Sequence, residues 1–178
     1  MIFSVTKNMQ TKKIDIKRCP KCDVQGKSID EVTIKAQLKK EKRETMGSKP
    51  DELIFCNSSG CGVVYYSSSN NELFFEEDVK SKVTCKNEDP ATPLCYCRKY
   101  KKADAQRDMQ NMEDKELVQH IKKILSQGKS SCKKTNPKGS CCTADIKKWL
   151  KKYGIIWDDE KKFVLTPFKQ ASVSGKCC

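Results

Sequence analysis

The sequence is short of what most catalytic and membrane proteins need. One histidine, His120, stands among 178 residues, so no Ser/His/Asp or Cys/His/Asn constellation is on offer. No GxGxxG or GxxxxGK[ST] loop is present to cradle a phosphate. These absences exclude a conventional enzyme and leave a metal-binding or redox carrier. Aromatic residues make up only 7 %, and they are not interleaved with the basic clusters as single-strand nucleic-acid binding requires. There is no recognition-helix motif. No apolar run approaches the 18 residues of a membrane span. The opening residues Met1–Val5 are followed at once by Lys7, Lys12 and Lys13, where a secretory signal would continue with an apolar stretch. The expectation is a cytoplasmic protein with no membrane span, whose cysteines are kept reduced and serve as metal ligands or reactive thiols, in preference to a disulfide scaffold.

What is abundant is cysteine and lysine. Twelve cysteines and a formal charge of +13 accompany a hydrophobic content of 37 % and a charged content of 33 %. A thin apolar core of this kind is commonly reinforced by metals or partners. Two four-thiolate metal sites, each carrying about −2, would leave a net charge of about +9. That surface favours acidic partners or nucleic acid, while the plainer reading is a solvated lysine coat.

The first cysteines follow the grammar of a zinc site. Cys19-Pro-Lys-Cys22 is separated by 33 residues from Cys56-Asn-Ser-Ser-Gly-Cys61. Each pair sits on a tight turn, and together they supply four soft ligands to a tetrahedral ion, with no position left open for water. Thr33–Thr45 reads as a solvated helix or a long excursion between the pairs. Leu53–Phe55 and Val63–Tyr66 read as short strands flanking Cys56 and Cys61, and Leu73–Phe75 as the return strand. A further β-type segment is expected around Val79 and Val83. Asn87–Pro93, with two prolines and no apolar run, marks a domain boundary near residue 90. Cys85 reads as a spare thiol.

The second set spans Cys95 to Cys142. Two thiols one residue apart, in Cys95-Tyr96-Cys97, can both reach one inorganic centre. Cys132 and Cys141-Cys142 flank the turn Thr135-Asn-Pro-Lys-Gly139, which bends the chain toward the same point. Four thiolates on such a scaffold fit a [2Fe–2S] cluster: Cys95, Cys97, Cys132 and one of Cys141 or Cys142. Asp104–Met112 reads as a short helix. Leu117, Val118, Ile121, Ile124 and Leu125 form one apolar stripe of another, with Asn111 as its cap and Gly128 as its terminator. A further helix starts at Thr143 and stops at Gly154, placing the vicinal cysteines at its N-terminus. His120 reads as a boundary residue. Trp157 and Phe163 are expected to cover the domain. The chain closes on Cys177-Cys178, a dithiol suited to a soft ion such as Cu(I) or Hg(II), or else two incidental thiols.

These motifs in this order resemble the N-terminal, iron–sulfur portion of the archaeal-type CopZ copper chaperones. The likeness is carried by Cys19-Pro-Lys-Cys22, Phe55-Cys56 through Cys61-Gly-Val-Val-Tyr65, Pro93-Leu-Cys95-Tyr-Cys97 and Thr135 through Cys142. The resemblance implies an α+β protein, in which a small zinc-ribbon or treble-clef-like β lobe precedes a small helical lobe of the bacterioferritin-associated ferredoxin type. It implies zinc on Cys19, Cys22, Cys56 and Cys61, and a [2Fe–2S] cluster on Cys95, Cys97, Cys132 and Cys142, with Cys141 as the alternative fourth ligand. The expected organisation is a basic tail over 1–17, a zinc lobe over 18–89, a cluster lobe over 90–165, and a flexible tail over 166–178. Two features depart from the pattern. There is no heavy-metal-associated MxCxxC domain, and the basic run Arg98–Lys102 replaces a Val-Thr-Glu-like segment.

The function expected on these grounds is a cytoplasmic metallochaperone with zinc, a [2Fe–2S] cluster and possible Cu(I) binding. It would bind and reduce a soft ion, copper or mercury. It would then pass the ion to a metal transporter or to a separate heavy-metal-associated domain protein. The alternatives are a [2Fe–2S] electron-transfer protein serving a partner reductase, and a basic zinc ribbon that binds nucleic acid.

Overall fold

The computed structural model of the protein describes residues 18–158. The expectations for the two tails, for Phe163 and for Cys177 and Cys178 lie outside those residues. The architecture is α+β. In the first half, β1 (Lys27–Ser28), β2 (Leu53–Phe55), β3 (Val63–Ser67) and β4 (Leu73–Phe75) form an antiparallel sheet in that order. Residues Phe55 and Tyr65 face each other in the β2–β3 register. The three strands expected from the Leu53, Val63 and Leu73 runs are all present.

Alternation along β2 sends its residues to opposite faces. Leu53 and Phe55 join a core with Ile34, Leu38 and Val79, whereas Ile54 and Cys56 join the thiols of Cys19 and Cys61. β3 breaks the alternation. Val63 and Tyr66 lie with the thiols, while Val64 and Tyr65 both lie with the Ile34 core. A register shift against β4 between Val63 and Tyr65 accounts for it: a bulge of this kind re-aims a side chain. Gly26 is required beside this sheet, because a Cβ there would run into Tyr66 Oη, Ile54 Cγ2 and Phe55 O.

Between β1 and β2 the chain forms α1 (Glu31–Gln37) and α2 (Lys40–Thr45), in place of one solvated helix over Thr33–Thr45. Leu38 breaks the helix in an extended conformation. Thr33, Ile34, Gln37 and Leu38 are buried, while α2 buries nothing. The apolar positions of α1 are few, and the surrounding charges disguise them as a solvated segment. The expected strand around Val79 and Val83 does not form. Val79 makes one isolated bridge to Leu38, and Val83 N–H is satisfied by Glu76 Oε1 at 3.0 Å. Both valines are nonetheless buried.

The second half opens with the hairpin β5 (Pro93–Cys95) and β6 (Tyr100–Lys101). It continues as α3 (Lys102–Asn111), α4 (Asp114–Ser126), the single turn α5 (Cys132–Thr135) and α6 (Thr143–Lys151). The stripe of α4 behaves as its spacing requires, with Leu117, Val118 and Ile121 buried against Leu94, Ala105, Ile146 and Leu150. Gly128 and Gly154 both take left-handed φ values, +58° and +79°, where helices end. The caps differ from expectation by a residue or two: Glu113 and Cys142 occupy the N-cap positions of α4 and α6. The basic run after Cys97 ends in β6, which leads directly into α3. Trp157 packs half-buried beneath the ammonium groups of Lys122 and Lys147.

The acidic connection between the halves is held down. The buried Lys102 Nζ donates to Asn87 O at 2.5 Å and to Glu88 Oε2 at 3.0 Å, while Lys152 pairs with Glu88 Oε1 at 2.5 Å. Thr84 Oγ1 donates to Pro93 O at 2.7 Å.

Candidate metal centres

The first thiol pair is shaped by its own turn. Asp23 N–H donates to Cys19 O, Cys19 N–H donates to Val24 O, and Asp23 takes a φ of +57°. The second pair is shaped by the sheet: Cys56 leaves β2, Cys61 enters β3, and Cys56 N–H donates to Val64 O at 3.0 Å. The four sulfurs all lie within 4.8 Å of one another. Cys19 Sγ is 4.0 Å from Cys61 Sγ, and Cys22 Sγ is 3.6 Å from Cys56 Sγ. Zn–S bonds of about 2.3 Å in a tetrahedron give S···S edges of about 3.8 Å, which those two separations bracket. The quartet therefore fits one four-coordinate ion, with Cys22 on the wetter side.

The ionisation of these thiols is uneven. Burial pushes Cys56 up to about 12. Burial also acts to raise Cys22, but the Val24 backbone N–H and the neighbouring thiols outweigh it and hold Cys22 at about 7. A proton shared this way must leave when a metal takes both sulfurs. One residue of this site was not legible in the sequence. Lys86 Nζ donates to Ser58 O at 2.7 Å and to Cys61 O at 3.0 Å, and sits 5.8 Å above the Phe55 ring. It clamps the Cys56–Cys61 loop and brings positive charge toward a site that would carry about −2 when loaded. A lysine among 36 basic residues gives no signal of such a role.

The second set is arranged differently. Cys97 Sγ is 3.4 Å from Cys132 Sγ, and the Cys142 thiol lies near enough to Cys95 to dominate its ionisation. These four do not share the single 4.8 Å cluster of the first quartet, which among the described residues is the one group of that kind. A diiron core gives each iron two thiolates and two sulfides, so its ligands should come as two close pairs set apart. The residues fit that requirement better than they fit one ion. Cys142 is buried, whereas Cys141 is exposed with its sulfur 3.1 Å from Thr143 Oγ1.

Each close pair again splits in ionisation. The Cys142 hydrogen bond brings Cys95 down to about 6 and raises Cys142, whose burial raises it further. Burial and the Cys97 sulfur push Cys132 up to about 12. Burial would raise Cys97, but Thr135 and Ser131 hold it below its ordinary value. The contacts are Thr135 Oγ1 at 3.3 Å, Ser131 N–H at 3.2 Å and Ser131 Oγ at 3.6 Å. Ser131 and Thr135 were missed by sequence reasoning, because hydroxyls beside a cysteine are too common to signal anything. Tyr96, between the two thiols, turns the other way: its hydroxyl donates to Lys82 O at 2.8 Å and accepts from Thr84 N–H at 3.0 Å.

The remaining candidates stand apart. Cys85 is half-buried in a cleft with Ser59, Thr84, Asp145, Lys148, Trp149 and Lys152. His120 Nε2 lies 3.6 Å from Asp108 Oδ2, at the edge of α4, in a network that also takes the Tyr100 hydroxyl at 2.8 Å.

Residues 16–80 match the family model described as a CopZ zinc binding domain. The chain is also 28 % identical over 148 residues to the copper chaperone CopZ of Archaeoglobus fulgidus, covering 82 % of this chain. The chain is thus similar to CopZ in sequence and in fold. The fold agrees: the X-ray structure of the Archaeoglobus fulgidus CopZ N-terminal domain superposes with a TM-score of 0.62 at 25 % identity, covering 78 % of this chain and 98 % of that one. The match reaches over 65 % of the length of the curated CopZ relative. Among the described residues no helix is long and apolar enough to cross a membrane.

Proposed function

We propose that this chain is a metallochaperone that holds one structural zinc on Cys19, Cys22, Cys56 and Cys61 and a [2Fe–2S] cluster on Cys95, Cys97, Cys132 and Cys142. The carrying observation is the contrast in sulfur geometry: one quartet lies within reach of a single ion, while the other spreads wider around the close pair Cys97 and Cys132, with Cys142 acting on Cys95. The likeness to a protein named a copper chaperone supplies the cargo class, a soft ion such as Cu(I), for which thiolates are matched ligands. The cluster would supply one-electron chemistry at a potential set by its surroundings, which suits reduction of that ion. The chain's own contribution is to orient the thiolates, to donate hydrogen bonds to Cys97 through Ser131 with the Thr135 hydroxyl alongside, and to bury Cys95 and Cys142. The partner is a metal transporter or a heavy-metal-associated domain protein, and the cell compartment is the cytoplasm. The lobes divide near residue 90.

Metal analysis with a visible spectrum on anaerobically purified protein tests the reading. It requires about two irons and one zinc per chain and a red-brown colour; colourless protein with zinc alone overturns the iron–sulfur half. A second reading, electron transfer to a reductase without copper, is separated by replacing Cys177 and Cys178 with serine. Loss of Cu(I) stoichiometry favours the chaperone, and unchanged stoichiometry favours the electron carrier.

A further inference from the structure

The loop that carries Cys132 and Cys142 has little with which to hold itself. Its one helical turn, α5, has four residues, far below the length at which an isolated helix persists. Of the residues between the two cysteines, only Asn136 and Pro137 are buried. Asn136 organises the turn locally, donating through Nδ2 to Ser140 O at 2.7 Å and accepting from Lys138 N–H at 2.9 Å. From its own half the loop is also held by Cys97, through Ser131 N–H and the Cys132 and Thr135 side chains, and by Lys138 Nζ on Asp145 Oδ1 at 2.9 Å; the remaining contacts come from the other half of the chain.

Two backbone carbonyls of the loop are satisfied by side chains of the first lobe. Tyr65 Oη, on β3, donates to Pro137 O at 2.6 Å, and Gln37 Nε2, on α1, donates to Lys134 O at 2.6 Å. Both donors are buried, Tyr65 completely. Its ring is held edge-on to Phe55, 6.1 Å between centroids, and the bulge in β3 aims it toward the loop. A third contact is steric. Gly139 has a φ of +65° and lies so close to α1 that a Cβ would meet Thr33 Oγ1 at 2.7 Å. The outer ion pair, Lys133 with Asp30 at 2.7 Å, is solvent-exposed and adds little.

Tyr65 is also tied to the first thiol quartet. Phe55 and Tyr65 are register partners, the next residue along β2 is Cys56, and Cys56 N–H is bonded to Val64 O. From zinc ligand to loop carbonyl the path is one hairpin.

We infer that the zinc lobe is the splint of the second centre, with Tyr65 and Gln37 as the positioning residues that hold the Cys132–Cys142 loop in its receiving shape. Zinc occupancy therefore governs how firmly the second centre is retained. This rests on the proposed cluster ligands only in its iron readouts; the loop readout is independent of them.

The experiment uses the full chain and compares wild type with Tyr65→Phe, Gln37→Met and the exposed control Tyr153→Phe. Tyr65→Phe keeps the ring and its packing, so a change belongs to the hydroxyl. Hydrogen exchange of the amides in 131–140 should rise about ten-fold in Tyr65→Phe and Gln37→Met, with zinc content unchanged. Iron release to a chelator should accelerate several-fold, and the visible circular dichroism of the cluster should shift. Tyr153→Phe should match wild type in all three. A Cys22→Ser protein that has lost zinc should show the same raised exchange in 131–140. Unchanged loop exchange in both clamp variants, or in the zinc-free protein, overturns the inference. If the wild type holds no iron, the cluster reading fails, and loop exchange alone still decides the splint. If Tyr65→Phe does not fold, Gln37→Met decides it.

Discussion

The two cysteine-bearing regions differ in what shapes them. The first quartet joins a tight turn to the ends of β2 and β3, and its sulfurs already crowd one point. The second sits at a short hairpin and an eleven-residue loop from Cys132 to Cys142, with its sulfurs paired and its shape borrowed from neighbouring elements. A metal in a core-built site contributes directly to folding, whereas a metal in a loop-built site depends on a fold that exists without it. That difference gives an order to the perturbations that would break or sharpen the contrast.

The largest effect should come from Cys56→Ser. Cys56 is fully buried beside Ile54 and Tyr66, so its loss should abolish zinc binding and cooperative thermal unfolding of the first half. Cys97→Ser, at a half-buried sulfur, should instead remove iron while leaving zinc content and the main unfolding transition in place. Metal analysis and calorimetry on both variants measure the contrast; equal loss of zinc in the two would erase it.

Next is Gly139→Ala, which meets a left-handed φ and the Thr33 side chain together. A destabilisation of about 1–3 kcal/mol is expected in urea unfolding. Lys102→Met should be comparable at about 1–3 kcal/mol, because a buried ammonium that satisfies Asn87 O is lost and that carbonyl is left without its donor. A smaller, local effect is expected from Thr135→Val. With the hydroxyl 3.3 Å from Cys97 Sγ gone, the more negative reduced state loses polar support, so the reduction potential of a bound cluster should move to a more negative value in protein-film voltammetry.

The smallest effect is a pH dependence at the lobe connection. Hydrogen bonds from Lys152 and then Lys102 hold the Glu88 carboxyl below its ordinary value. A depressed folded-state value means a contribution fully present above the unfolded glutamate value of about 4.3, and lost as pH falls through the lower folded value. Glu88→Gln should remove that slope from the acid limb of a stability–pH curve and leave the neutral region little changed. An acid limb identical to wild type would show that the two lysines do not act through this carboxylate.

Much of this was legible locally. The strands at Leu53, Val63 and Leu73, the apolar stripe of α4 and the left-handed glycines at 128 and 154 all follow from short-range rules of period and backbone freedom. The CxxC spacing announced the cluster of four thiols that Cys19, Cys22, Cys56 and Cys61 form. The likeness to CopZ could likewise be read from the order of the motifs. Other features were hidden because they depend on residues with no distinguishing pattern. The buried face of α1 rests on Thr33, Ile34 and Gln37 amid charges, and the segment around Val79 and Val83 is buried without being a strand.

The linear chain determined which residues carry soft-ligand chemistry and in what groups, because thiol spacing and turn residues are local facts. Only the tertiary structure decided that Cys142 faces Cys95 while Cys141 faces outward, that Lys86 clamps the first knuckle, and that Tyr65 and Gln37 reach a loop 72 and 97 residues away. Those contacts arise from a bulge that turns one side chain and from carbonyls that need donors. No local pattern records which distant donor will meet them.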